Sequence, residues 1–214
     1  MSEETRSPSV GGDQEADRRA KLARIRNDLG LDPYGERVDH LLTLKETIEQ
    51  YDAGADEAFS ADPSTDSRPV AKVAGRIMLH RAMGSLIFMT LRDSTADLQI
   101  AVSKKAVDRA SFQLANKLVD LGDVVVVEGP VGKTKKGELT VWANGNGAFR
   151  VASKSLAPPP GKWKGIKDPE LRYRRRYVDM YANPQVIGTF QWRSKLVSAI
   201  RRFMDDGGFL EVET

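Results

Sequence analysis

An aromatic ring, a guanidinium and a carboxamide on one sheet face make a surface for unpaired nucleobases, and Phe88, Arg76 and Gln99 fit that description. Each lies in a stretch of alternating polarity. In residues 85–91, Ile87, Met89 and Leu91 share one side, so Leu86, Phe88 and Thr90 share the other. Leu98, Ile100 and Val102 turned inward leave Gln99 outward, and Val73, Ile77 and Leu79 turned inward leave Arg76 outward, with His80 on Arg76's side. An exposed ring stacks on a base, and the neighbouring guanidinium and amide read base edges that unpaired RNA leaves free. The pattern equally allows Phe88 to be a barrel aromatic covered by the N-terminal segment. Arg76 taken singly fits a solvated strand residue.

Other constellations are weaker. Gly132-Lys133-Thr134 has the Gly-Lys-Thr of a phosphate loop, but Val127 stands where the first Gly must be, which rejects it. Lys133, Lys135 and Lys136 instead suit an RNA backbone beside the binding face, or a solubilising turn. In Arg172-Tyr173-Arg174-Arg175-Arg176-Tyr177-Val178-Asp179, arginines that pair carboxylates at an interdomain or subunit contact are favoured over phosphate binding. Glu211 and Glu213 share a strand face with no His or Ser partner in view, so they read as pairing groups rather than acid–base catalysts.

The elements that position these groups follow from period. Residues 1–16 read as a disordered tail and 17–69 as a helical extension and linker. In that extension, Leu22, Ile25 and Leu29 mark one helix before Gly30 and Pro33. A second short helix is expected over 41–51 and an Asp-, Ser- and Pro-rich linker over 53–69. Residues 70–157 read as three meander strands, a helix over 104–121, a strand over 124–131 and one long strand over 138–151. That order is the five-stranded OB-fold barrel, whose face of strands two and three binds oligonucleotides. A stiff Pro158-Pro159-Pro160-Gly161 spacer opens a basic linker over 158–183, which includes Lys162-Trp163-Lys164. Residues 184–214 read as an amphipathic helix with a Leu196, Ile200, Phe203 stripe, a Gly207-Gly208 stop and a strand that breaks off at the terminus. The fold expected is mainly β with helices.

Bulk properties exclude several classes. With 214 residues, 40% hydrophobic and 29% charged, the chain buries a core. Cys is absent and His numbers 2, which argues against disulfides, thiol chemistry and structural zinc. No apolar run nears the roughly 18 residues that span a bilayer. The acidic, polar start is no secretory signal, so a cytoplasmic protein is expected. Net charge is +3, with carboxylates gathered early and cations late, a pointer to nucleic acid.

Taken in order, these motifs resemble the N-terminal part of the bacterial-type lysyl-tRNA synthetases, a class IIb family. The resemblance runs from about Asp17 to Thr214. It rests on Arg18-Arg19-Ala20-Lys21-Leu22 with Gly30-Leu31-Asp32-Pro33-Tyr34, on Val73-Ala74-Gly75-Arg76-Ile77-Met78 with Met83-Gly84, and on Phe88-Met89-Thr90-Leu91-Arg92-Asp93 with Leu98-Gln99-Ile100. Lys133-Thr134-Lys135-Lys136-Gly137-Glu138-Leu139, the arginine-rich run and the segment from Arg193 to Thr214 complete it, the last resembling motif 1. The resemblance implies that Phe88 stacks on the central anticodon uridine of tRNA(Lys), with Arg76 and Gln99 contacting it and Glu138 near another anticodon base. It implies a homodimer through Arg193, Leu196, Ile200, Phe203, Phe209, Glu211 and Val212. In the complete enzyme it implies ATP, magnesium and lysyl-adenylate, through motifs 2 and 3. This chain does not contain those motifs, so it is expected to be cut before its chemistry, to bind no cofactor itself and to be inactive alone. Locally the chain departs from the family at the apolar Ser85-Leu86-Ile87 and at Asp97, where a small or basic residue is common. A free-standing RNA-binding module and an aspartyl or asparaginyl relative are the rival readings.

Overall fold

The computed structural model describes residues 10–34, 36–160, 166 and 168–213, in two compact units that divide after Pro158. The first nine residues of the expected tail, Lys162-Trp163-Lys164 and Thr214 lie outside the described residues.

In the first unit, the strands are β1 Val70–Met83, β2 Leu86–Arg92, β3 Asp97–Val107, β4 Val124–Lys133, β5 Leu139–Gly145 and β6 Phe149–Ser153. β1, β2 and β3 form an antiparallel meander. β5 runs parallel to β3, β4 pairs antiparallel with β5, and β4 closes on β1 from Val70↔Pro130 to Arg76↔Val124. This is a closed five-stranded barrel, as expected. Inward positions of all five strands supply the core, including Val73, Ile77, Met89, Ile100, Val127 and Val141, each at most 1% exposed. Burial of such branched and aliphatic side chains is the main stabilising term.

β6 is an addition. The single strand expected over 138–151 breaks at Gly145 and Gly147, both at positive φ, and residues 149–153 return along β4 instead. Gly129 explains how β5 leaves β4. A Cβ there would meet the carbonyl of Trp142, so only glycine lets the two backbones cross.

β1 carries a second device. Its register against β2 shifts between Ile77 and Leu79, a bulge at Met78. The shift inverts parity beyond it. Leu79 pairs with outward Thr90, while His80 pairs with buried Met89 and sets its Nε2 2.7 Å from the Ala115 carbonyl. Strict alternation assigns both residues to the wrong faces.

The helix expected over 104–121 is shorter, because β3 continues to Val107. Asp108 caps α4 (Arg109–Gln113), which runs into a π turn over Leu114–Leu118. Ala115 and Leu118 fill the core.

Before the barrel come α1 Val10–Leu29, α2 Leu44–Glu49 and α3 Ala53–Ala61. α1 starts earlier than Asp17, and α3 occupies the segment expected to be a linker. Ile25 and Leu44 belong to the barrel's own core, so the extension is part of one folding unit. α1 is further held by charge. Arg18 donates to the Leu121 and Ser155 carbonyls at 3.0 and 2.8 Å, and Lys21 pairs with Asp120 at 2.7 Å. Lys154, wholly buried, bridges Asp120 and Asp123. Burial pushes the Asp123 carboxyl up, whereas at Asp120 the burial is outweighed by Lys154 and Lys21, which hold it below its ordinary value.

In the second unit, α5 Pro169–Arg174 and α6 Arg176–Ala182 replace the expected linker, and α7 Pro184–Asp206 is the expected amphipathic helix. Asp179, with a fully buried side chain, accepts from Arg172 at 2.9 Å, Arg176 at 2.7 Å and Asn183 at 2.6 Å. The arginine-rich run thus pairs a carboxylate, and does so within its own unit. The strand expected after Gly208 is not formed: residues 209–213 have no described strand beside them to complete a ladder.

Candidate nucleic-acid interface

Strand registers arrange the outer face in rows. One row runs Arg81, Phe88, Ala101 and Trp142 across β1, β2, β3 and β5. The next runs Leu79, Thr90, Gln99 and Thr140, and a third holds Arg76, Arg92 and Asp97. Residues directly opposite in register point to the same side of a sheet. Phe88 is therefore outward and partly exposed, as its alternation predicts.

The rows bring Phe88 and Gln99 together and set Arg76 two rows from Phe88, roughly 13 Å along the strands. Gln99 donates from Nε2 to the Thr140 hydroxyl at 2.9 Å, and that hydroxyl donates to the Glu138 carbonyl at 3.1 Å. The amide is thereby oriented from the β4–β5 turn. Arg76 donates to the Gly122 carbonyl at 2.7 Å. Arg92 forms a bidentate pair with Asp97, 2.6 Å at each contact. The unusual Asp97 thus meets its counter-charge on the neighbouring strand.

The β4–β5 turn is built tightly. The Thr134 amide donates to the Glu138 carbonyl at 2.9 Å, and Gly137 turns at φ 83°. Lys135, Lys136 and Glu138 are exposed at its tip. Lys133 is differently placed. Its ammonium lies 4.7 Å over the Tyr51 ring and its amide donates to Asp56 at 2.8 Å. Asp56 of α3 and Arg68 also pack on Gly132, where a Cβ would fall 2.4 Å from the Asp56 carboxylate. The segment that sequence reading treats as linker therefore supports one side of the hairpin.

Trp142 is the site residue that sequence reading misses. Its ring meets Phe88 edge-on, centroids 6.2 Å apart at 75°. The signal was available: Val141 and Ala143 alternate inward, which turns Trp142 outward, but a single undivided run over 138–151 conceals that parity. Arg81 escapes for another reason, since the bulge at Met78 reverses its face.

In the second unit, Leu196, Ile200 and Phe203 line an exposed stripe of α7, 61%, 53% and 77% exposed. A shallow groove beside it includes Ile200, Met204, Phe209 and Leu210. Val212 is exposed, and Glu211 accepts from Arg201 at 3.0 Å. Among the described residues, no group of three or more His, Asp or Glu side chains could hold a metal ion. No described helix is long and apolar enough to cross a membrane.

Residues 71–145 match the OB-fold nucleic acid binding domain, and residues 168–214 match the class II tRNA synthetases (D, K and N). Barrel, helix order and these two matches point to one class: the chain is similar to an OB-fold nucleic acid binding domain over residues 71–145 and to the class II tRNA synthetases of that group over residues 168–214. Within it, the chain is similar to lysine–tRNA ligases. It is 43% identical over 197 residues to that of Pelotomaculum thermopropionicum, covering 92% of this chain and 36% of the relative. It is 44% identical over 200 residues to that of Bordetella bronchiseptica, 93% of this chain and 37% of the relative. It is 38% identical over all 214 residues to that of Magnetococcus marinus, 41% of the relative. The chain thus spans between 36% and 41% of the length of these curated relatives.

Proposed function

We propose that this chain is the anticodon-binding and dimer-forming part of a cytoplasmic lysine–tRNA ligase, and that the outer face of β2 and β3 binds the anticodon of tRNA(Lys). The observation that carries this reading is the partly exposed Phe88 ring beside the tethered Gln99 amide on an OB-fold barrel. A base stacked on Phe88 presents its edge to Gln99, and stacking favours any base while the amide discriminates among edges. Arg76 supplies positive charge farther along the face. Glu138, exposed at the β4–β5 turn, contacts another anticodon base, and Lys135 and Lys136 attract backbone phosphates. Lys133, already seated on Tyr51, contributes less than its two neighbours.

The α7 stripe, with Arg193, Phe209, Glu211 and Val212, is the dimer contact in this reading. ATP and magnesium serve the complete ligase, where ATP supplies the adenylate that activates lysine; no described residue of this chain is assigned to them. The test is affinity for a stem-loop RNA carrying the lysine anticodon. Phe88→Ala should weaken binding by about 1–3 kcal/mol, roughly 5- to 150-fold, with an unchanged unfolding midpoint. Unchanged affinity, or a collapsed fold, overturns the assignment of Phe88.

A further inference from the structure

We infer that Trp142 is a positioning residue for the base-binding face, holding the Phe88 ring in the orientation that receives a base. The inference rests on the reading of Phe88 as the stacking platform. Three observations carry it. Phe88 and Trp142 stand in one row but on strands two places apart, with Ala101 of β3 between them. A methyl group at the middle position leaves space for the two rings to meet above it; Ala101 is 1% exposed. The rings meet edge to face, at 6.2 Å and 75°, a geometry in which the positive rim of one ring addresses the negative face of the other.

Trp142 is itself held from two sides. Its indole N–H donates to the Gly132 carbonyl at 3.3 Å. Its backbone lies against Gly129 at the crossing of β4 and β5, where no larger residue fits. β5 is thus a fixed post, and Phe88, on a strand bordered by two others, leans on it. A free phenylalanine ring loses rotamer freedom when a base stacks on it. A ring already fixed has lost that freedom on folding, so the RNA does not bear the cost. Trp142 therefore contributes to affinity without touching the base that Phe88 receives.

The test is a double-mutant cycle on the full chain with the lysine-anticodon stem-loop as probe. Trp142→Leu should weaken binding roughly two- to tenfold. Trp142→Phe, which keeps a ring edge, should restore most of it. In a Phe88→Ala background, Trp142→Leu should change affinity by less than about twofold, because the ring it orients is gone. If Trp142→Leu does not fold, Ala101→Val, which parts the two rings without removing either, enters the same cycle with the same expectation. Equal losses in both backgrounds overturn the inference and make Trp142 an independent contact. No loss in either background overturns it as well. If Phe88→Ala itself has no effect, the platform reading fails and this inference fails with it, whereas a large Phe88 effect with a silent Trp142 removes this inference alone.

Discussion

The two units use apolar residues in opposite ways. In the first, Ile25, Ile77, Leu91, Ile100 and Phe149 are completely buried, and even the N-terminal helix spends its Ile25 on the barrel core. In the second, Val178 and Val186 are the buried apolar side chains among the described residues, while Trp192 and Phe203 are 74% and 77% exposed. Both have apolar patterns in sequence, alternating in the barrel strands and helical in α7. The difference teaches that the barrel satisfies its own pattern by closing on itself, whereas α7 has an apolar stripe that its own short helices do not cover. Large exposed apolar stripes mark association surfaces. The outer face of β2, β3 and β5 differs from both, since its partly exposed Phe88 and Trp142 rings meet each other and lie beside the polar Thr90 and Gln99.

The largest effect that would break this contrast comes from glycine. Gly129→Ala drives a methyl group into the Trp142 carbonyl and should destabilise the first unit by about 3 kcal/mol or more, read by chemical denaturation. Gly188→Ala in α7 meets nothing within 4 Å and should stabilise the helix by up to about 1 kcal/mol. Similar responses at the two positions would refute the contrast between a packed barrel and an open helix.

Association comes next. At tens of micromolar the chain should sediment as a dimer or larger species, and Ile200→Asp should return it to monomer without moving the barrel's unfolding midpoint. A monomeric parent chain would mean that the α7 stripe is covered by its own chain.

The smallest effect sharpens the account of the barrel's helix. Asp108 accepts from the Ser111 amide and hydroxyl at 2.9 and 2.6 Å and from the Gly147 amide at 2.8 Å. Burial works to raise its pKa, but those donors outweigh it and lower it to about 2. A lowered carboxyl stabilises the fold fully above about pH 4, and that contribution is lost as pH falls toward 2. Asp108→Ala should cost about 1 kcal/mol at neutral pH, with the difference from the parent shrinking toward pH 2. A pH-independent difference would contradict the capping role.

Most of the barrel was legible because its strands are buried on one face only, which writes a period of two into the sequence. Phe88 and Gln99 were placed by that rule alone. The rule fails where backbone geometry intervenes. Nothing in Leu79 and His80 announces the bulge that exchanges their faces. The break between β5 and β6 was signalled by Gly145 and Gly147, yet a continuous extended pattern across them hid it. α3 and the cluster of buried Lys154 and Asp123 with half-buried Asp120 depend on contacts distant in sequence, which no local pattern encodes. The strand expected after Gly208 shows the reverse failure: residues 209–213 have the composition of a strand without a ladder to join.

The central claim is that the outer face of β2, β3 and β5 is the RNA site. Backbone amide shifts of the labelled chain, followed while the lysine-anticodon stem-loop is added, test it most directly. The account predicts that the largest changes fall on Phe88, Gln99, Ala101 and Trp142, with smaller ones at Lys135, Lys136 and Glu138 and none on α7. Changes centred on α1 or α7, with a silent Phe88 row, would contradict it.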